Sequence, residues 1–570
     1  MARPARHPRS SRGLTRRLFV EGALRTTLLA GLGGGSSIAA LASALPSGGP
    51  KPGARRGFDG EIIAEPYSIA HRLRDGTLNI PDPAPEGPLL DAIVIGGGVS
   101  GLMAAWELER GGLADVALFE MADYVGGNAR KGHANGTDFT CATWSLARPR
   151  DPFLTRLLQD LDVIERIGCD GTPRIRRQYV GPGPEYNIFL DGAWYAQPDF
   201  ASSDDAAAKR LPLSQRGREG LAAFYREMRD GLGRRGRDGR PAFAMPVKEG
   251  SRDADLLALD RITLEEFVRR KGWGDEALAE ADDWSTSTIG GSVREVSAYA
   301  FWAFNCLGQG GEDITLPGGN AWLAAKLAEK VGREKIASGR MAVRVRNQGR
   351  EVHVTLIDPA SGSFSRRRAR AVVIACPKHI TGRIVPEMSR GAWQAYRQFR
   401  YGALLMGAAH VRRTPVLKGG PLAWFNAATG RFIQGFLVAD YNSPRWRQGD
   451  PARPNVLCLW APLAGRATRS ELLLRPWTHW ADRMAADLED LVPGILDTVT
   501  RLDIYAWGHH MVIPYPGFLT GTALPAVSRP LGRITFAHSD RNGMPSFELA
   551  TRAGHDAARE AIALVRGETS

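Results

Sequence analysis

"DAIVIGGGVSGLMAAWELERGG", residues 91–112, is the stretch that decides how this chain folds. Ala92–Ile95 is an apolar run with the length of a buried strand, and Val99–Arg110 reads as a helix stopped by Gly111-Gly112. Between them, Gly96, Gly98 and Gly101 satisfy G-x-G-x-x-G. The first glycine permits a tight turn, the second lets backbone approach a pyrophosphate, and the third lets helix pack on strand. The helix N-terminus contributes free N–H groups and a partial positive charge. "DVALFE" (115–120) is the next buried strand, and its Glu120, nineteen residues beyond Gly101, is placed to accept from ribose hydroxyls. Together these predict a Rossmann-like dinucleotide-binding unit in an α/β fold.

NAD and FAD sites share these parts, so the next residues matter. In "LFEMADYVGGNARKG" (118–132), Gly126-Gly127 and then Arg130 follow the acid. This resembles the second diglycine of the flavin amine oxidase superfamily, where an acid, two glycines and an arginine line the diphosphate and ribityl chain of FAD. Glycine lets backbone pass close to a cofactor, and Arg supplies a planar donor fork for phosphate oxygens. Two further blocks are similar to the family's other FAD segments. "ITLPGGNAWLAAKLAEKV" (314–331) with "MAVRVRN" (341–347) looks like the middle one, in which the backbone of Val343 meets the adenine end. "ITFAHSDRNGMPSFELATRAGHDAARE" (534–560) resembles the closing motif. There the resemblance assigns Asp540 to the ribityl hydroxyls and the N–H groups of Leu549 and Ala550 to the flavin N1–C2=O edge, where a helix N-terminus favours negative charge.

The resemblance spans about residues 90–565 and sets the expected organisation. FAD-binding segments occupy 89–149, 311–385 and 501–570. A mainly helical substrate-domain insertion fills 150–310, with "GLGRRGRDGRP" (231–241) as a flexible surface loop, and a second mixed α+β part fills 386–500. A ligand site between such halves is the default expectation. Residues 46–88, rich in Pro and Gly, read as a linker and N-terminal arm.

Residues 1–45 read as an export leader. "TRRLF" (15–19) resembles the twin-arginine signal, and Ala42-Ser43-Ala44 has the small-residue pattern of a cleavage site. A basic tail is the alternative. The net charge of +13 belongs largely here: residues 1–56 hold ten Lys/Arg against Glu21 alone, which leaves +4 for the other 514 residues. That distribution gives no reason to expect a nucleic-acid partner. The twin-arginine machinery carries folded proteins, which suits an enzyme loaded with a tightly held cofactor and working outside the cytoplasm, in the periplasm. The five cysteines are scattered without a C-x-x-C pair and read as free thiols, and no metal site is expected.

The implied activity is that of an FAD-dependent oxidoreductase removing a hydride from a C–N bond of an amine or polyamine, similar to spermidine dehydrogenase-like exported members. Two departures stand out. Many relatives carry a lysine near flavin N5 on the strand comparable to "YGALLMGAAHV" (401–411), but here the aligned residue is Met406, while Lys378 and Lys418 are out of register. That favours a dehydrogenase, with a redox partner as electron acceptor, over an oxygen-using oxidase. The tyrosine that often precedes the closing E-G-A motif by two residues is Ser546. In "YAWGHHMVIPYPG" (505–517), Trp507, His509 and His510 are the candidate catalytic or substrate-contacting residues, with packing as the plainer alternative. A flavin desaturase or isomerase acting on an apolar C–C substrate, and a non-catalytic flavin-binding electron-transfer protein, are the competing readings. "SAYAFWAFNCLG" (297–308) either lines a tunnel for the apolar case or packs as core.

Overall fold

In the computed structural model, the described residues are 57–64, 67–143, 146, 148–149, 151–169, 171–180, 186–196, 210–308, 314–415, 422–424, 431–439, 452–464 and 466–568. Residues 1–45, expected to be an export leader, and Lys418 lie outside them. The stretch at 91–112 folds as its sequence predicts, with a strand at Leu90–Ile95 and a helix at Val99–Arg110. This strand is parallel to Val116–Phe119 on one side and to Phe364–Ile374 on the other. Ile336–Ala337 extends the sheet beyond Val116–Phe119. Phe364–Ile374 is long enough to have two partners along its far edge. Its first half pairs antiparallel with Glu351–Ile357, which in turn pairs with Met341–Gln348. Its last residues run parallel to Ile534–Phe536. One seven-stranded sheet thus gathers strands from all three expected FAD segments.

Near-continuous apolar strands need cover on both faces. The helices Val99–Arg110, Ala321–Val331 and Phe547–Arg566 supply it on one side, packed on one another as well as on the sheet. The closest crossing sits at Gly554, where an added Cβ would overlap the Ser100 carbonyl.

The second sheet has eight strands in the order Ile62–Ala64, Val499–Val512, Tyr401–Val411, Asn455–Leu463, Gly435–Val438, Leu422–Trp424, Tyr186–Leu190, Ala193–Ala196. Two of these sources differ from the sequence reading. The arm at 46–88 contributes an edge strand, Ile62–Ala64, parallel to Ile504–Ala506. The segment 150–310 is not mainly helical at its start: after the helix Pro152–Asp160, residues 164–167, 173–175, 186–190 and 193–196 are strands, and the last two join the large sheet as a hairpin. One face of this sheet packs on Trp480, Met484 and Leu488 of the helix Trp477–Leu491.

Four helices, Gln215–Gly233, Leu264–Lys271, Asp275–Ile289 and Ala298–Gly308, share a core of Phe224, Tyr299, Phe301 and Trp302. Those aromatics are at most 2 % exposed, so the centre of the 297–308 run is packing rather than tunnel wall. The loop at 231–241 is a closed turn, held by Gly236 N–H to Arg240 O (2.9 Å) and by Asp253 accepting from the Arg237 N–H (2.7 Å).

Candidate active site

The two glycine turns meet backbone to backbone. Gly98 and Gly126 form an isolated parallel bridge, and the Gly126 N–H donates to Gly97 O at 2.8 Å. Gly126 has φ +117, where a side chain would be strained. A Cβ on Gly127 would stand 3.2 Å from the Gly98 Cα. On Gly98 itself, extended at φ −69, a Cβ would meet nothing nearer than the Gly127 Cα at 3.9 Å. Gly101 has the opposite environment, because an added Cβ would overlap the Gly96 carbonyl oxygen. Gly101 and Gly96 therefore serve the fold, while Gly98 and Gly127 leave a floor of bare backbone at the start of a helix.

Glu120 stands at the edge of that floor. Its Oε2 accepts from the Gly97 N–H at 2.6 Å and its Oε1 from the Ala122 N–H at 2.8 Å, which fixes the carboxylate beside the first turn. The Arg130 guanidinium lies over Tyr124 (4.2 Å) and within 5.3 Å of the Tyr505 ring centroid. Among the described residues it has no carboxylate partner. Val343 is the bulged residue of its strand: Ala342 pairs with Leu356 and Arg344 with Thr355, so the Val343 backbone falls out of the ladder. A bare floor at a helix N-terminus, a guanidinium without a carboxylate partner among the described residues, an acid beside the turn and the bulged backbone at Val343 fit the diphosphate, ribose and adenine of a dinucleotide.

The closing segment differs from expectation in detail. Asp540 is 1 % exposed and faces protein. Its Oδ2 accepts from the Lys378 N–H (3.0 Å) and the Tyr401 hydroxyl (2.5 Å), and its Oδ1 lies 3.2 Å from His538 Nδ1. Burial alone would raise its pKa, but His538, the Lys378 N–H and the Tyr401 hydroxyl outweigh that and hold the carboxyl far below its ordinary range. Asp540 is thus a junction between the two sheets rather than a group free for ribityl hydroxyls.

The N–H groups of Leu549 and Ala550 are also committed. Leu549 N–H donates to Ser546 Oγ at 3.0 Å and Ala550 N–H to Ser546 O at 3.1 Å. Ser546, standing where relatives often have tyrosine, is the N-cap of the helix Phe547–Arg566. The positive end of the helix therefore lies at Phe547–Glu548, one step earlier than the motif suggested.

The two histidines of the 505–517 stretch part company. Strand alternation puts Trp507 on the same face as Tyr505, with Met406 and Trp460 beside them across the neighbouring strands. Trp507 Nε1 donates to Cys141 O at 2.9 Å. Met406, which the resemblance aligned with the relatives' lysine, is a fully buried apolar thioether. The pairing then slips: Gly402 opposes Met511 and Leu404 opposes Trp507, leaving residues 508–510 looped out. His510 turns toward the diglycine loop, where Asn128 Nδ2 donates to its carbonyl at 2.7 Å and lies 3.4 Å from its Nδ1. The carbonyl bond fixes the amide's orientation, so Nδ1 faces a donor and the ring proton belongs on Nε2. Burial pushes this imidazole down to about 4.

His509 turns the other way and stacks on His379 (4.0 Å, 17°), with Tyr401 edge-on at 5.6 Å. The ring is exposed to solvent yet crowded by these neighbours. That crowding, with the charges of Arg469, His71 and Arg74, lowers its pKa to about 4. Lys378, fully buried beneath, is pushed down to about 8 by desolvation.

Sequence reasoning gave no role to Asn128, although it directly follows the diglycine, and set Lys378 aside as out of register. His379, Tyr401 and Tyr505 carry no motif spacing and reach the site through pairing between segments far apart in the chain.

A family model for flavin-containing amine oxidoreductases matches residues 99–562. No curated protein matches the chain. Among solved structures, a putrescine oxidase bound to putrescine is similar at 18% identity, over 84% of this chain and 99% of its own, with a TM-score of 0.62. Cyclohexylamine oxidase from Brevibacterium oxydans is 18% identical over 83% and 99%, with a TM-score of 0.61. A CLA-producing fatty acid isomerase from P. acnes is 14% identical over 83% and 98%, with a TM-score of 0.58. At these identities the likeness is one of fold.

Proposed function

The chain belongs to the flavin-containing amine oxidoreductase family and is an FAD-dependent oxidoreductase, and from that premise we propose that it dehydrogenates an amine at a C–N bond. The supporting observation is the link between the Asn128 amide and His510, which brings the Trp507–His510 stretch against the same glycine loop that carries Arg130. Bound FAD would supply the acceptor for the hydride leaving the carbon next to nitrogen. The chain's own residues do the rest. Arg130, the Gly98–Gly127 floor and the Val99 helix start hold the diphosphate, Glu120 the ribose and the Val343 backbone the adenine.

Near neutral pH His510 is uncharged and carries its proton on Nε2, so it orients a substrate as a donor and adds no positive charge beside an amine. Trp507 and Tyr505 give the same wall an aromatic surface, which favours an amine whether neutral or cationic. Met406 offers no amino group near this wall, which supports an acceptor other than oxygen. The "TRRLF" leader supports export of the loaded enzyme.

The test is anaerobic mixing of the flavin-loaded protein, expressed with its leader, with primary amines, diamines and polyamines. The reading expects the flavin's visible band to bleach, to recover slowly in air and quickly with an artificial acceptor, and the protein to be recovered outside the cytoplasm. Bleaching by an unsaturated fatty acid or carotenoid but by no amine would replace it with the apolar-substrate reading. A flavin that no organic compound bleaches would leave an electron-transfer protein.

A further inference from the structure

Among the described residues, four that carry side chains have a positive φ. Three of them, Asn135, Asp162 and Asp191, lie between φ 48 and 59 and are of the two residue types that tolerate the left-handed region. His538 is different. At φ 77 and ψ 145 it is extended on the side of the map that glycine enters freely and a Cβ resists. Such a conformation persists only where the surroundings impose it. What the ring gains there is a hold on Asp540. Its Nδ1 lies 3.2 Å from the backbone nitrogen of Asp540 and 3.2 Å from its Oδ1. The ring donates to the carboxylate or accepts from the amide according to its protonation, and either way it grips the residue two places on. Oδ2 is left for the Lys378 N–H (3.0 Å) and the Tyr401 hydroxyl (2.5 Å).

The sheet places this grip relative to the cofactor. Leu90–Ile95, Phe364–Ile374 and Ile534–Phe536 are parallel and end in one row, tied by Ala375 N–H to Ile95 O and Ala537 N–H to Ile374 O, both 2.8 Å. Ligands of such sheets lie at the carboxyl ends of the strands. The first of these strands carries the glycine turn. On one side its neighbour Val116–Phe119 leads into Glu120, and Arg340 N–H to Glu120 O (2.7 Å) brings the start of the Val343 strand to the same side. With ribose and adenine there, the flavin half of FAD runs the other way, across the strand ends that carry Lys378 and His538–Asp540 and toward Tyr401 of the second sheet.

We propose that His538 is a positioning residue for the flavin half of FAD. It acts through Asp540, fixing the carboxylate that joins the two sheets around the cofactor, and it is kept at a cost in backbone strain that glycine would avoid. This is independent of the amine reading and holds whatever substrate the flavin oxidises.

The test compares full-length holoenzyme with three variants. His538→Gly and His538→Ala both delete the ring, but only the second keeps the strain. His538→Asn keeps a donor on a residue type that tolerates positive φ. FAD release is followed as the rise in flavin fluorescence after dilution. His538→Gly and His538→Ala are expected to release FAD about tenfold faster than wild type or more, and His538→Asn at a rate in between. Melting temperatures are then compared with FAD in excess. On unstrained backbone alanine outranks glycine, because it restricts the unfolded chain. The expected order is the reverse, with His538→Gly melting several degrees above His538→Ala, and that reversal reports the strain. A His538→Gly protein that melts higher than His538→Ala and still sheds its flavin separates positioning from general loosening. Release from His538→Gly at the wild-type rate overturns the proposal. So does His538→Ala melting level with or above His538→Gly, or a His538→Gly protein that does not fold. His538→Asn shedding FAD as fast as His538→Gly removes the route through Asp540, and the proposal with it.

Discussion

The glycine turns at 96–101 and 126–130 and the wall of the proposed substrate site, built on Tyr401–Val411 and Val499–Val512, are made in different ways. The turns are shaped by missing side chains. Their geometry depends on where a Cβ cannot go and where it must not go, and both demands fall on residues close in sequence. The wall is shaped by side chains that are present, delivered by antiparallel pairing between strands about a hundred residues apart, with a slip of register between Gly402 and Leu404 that sends His509 and His510 in opposite directions. Damage to a turn is therefore expected to act on the whole domain or on the cofactor, whereas damage to the wall acts locally.

The largest expected effect is at Gly101. A Cβ there overlaps the Gly96 carbonyl and presses on Ala375 across the sheet, so Gly101→Ala should lose soluble protein altogether or destabilise by about 4 kcal/mol or more. Soluble, normally melting Gly101→Ala would show that the turn is less tightly packed than described.

An intermediate effect is expected where the two regions join. Tyr401→Phe removes a donor from buried Asp540 and should cost about 1–3 kcal/mol in urea unfolding. The sign with pH follows from the depressed carboxyl. Its stabilisation is fully present above its unfolded pKa, near 4, and is lost as pH falls toward its lower folded value. The difference between wild type and Tyr401→Phe should therefore be constant at neutral pH and shrink below about pH 4. A difference that persists unchanged in acid would mean Tyr401 acts through packing alone.

The smallest is at the closing helix. Ser546→Ala deletes the N-cap and should cost about 1 kcal/mol, measured as a shift in the urea midpoint with the slope unchanged. No shift would mean that the Leu549 N–H has another partner.

The contrast also explains what the sequence disclosed. The strand at Leu90–Ile95, the helix to Arg110 and the acid at Glu120 were legible because each obeys a local rule of period, stop signal or spacing. The bulge that frees the Val343 backbone was not legible, since nothing in "MAVRVRN" marks a slip of register. The Asp540 junction was misassigned because its partners, Lys378 and Tyr401, come from 162 and 139 residues away. Ser546 carried a readable signal, a serine just before a helix, which the comparison with an aromatic position obscured. The hairpin at 186–196 was hidden inside a region dominated by helical periodicity, where its alternation is too short to stand out.

The most direct measurement is the FAD content of purified Gly98→Ala beside wild type. Gly98 has an ordinary φ of −69, and a Cβ there meets no protein atom closer than 3.9 Å, so the polypeptide itself has room for the change. What should lack room is the pyrophosphate over the bare floor. Wild type is expected to carry one FAD per chain, and Gly98→Ala to fold with an unchanged circular-dichroism spectrum but emerge pale, with flavin bound weakly when added back. A Gly98→Ala protein as yellow as wild type would contradict the placement of the cofactor on these two turns.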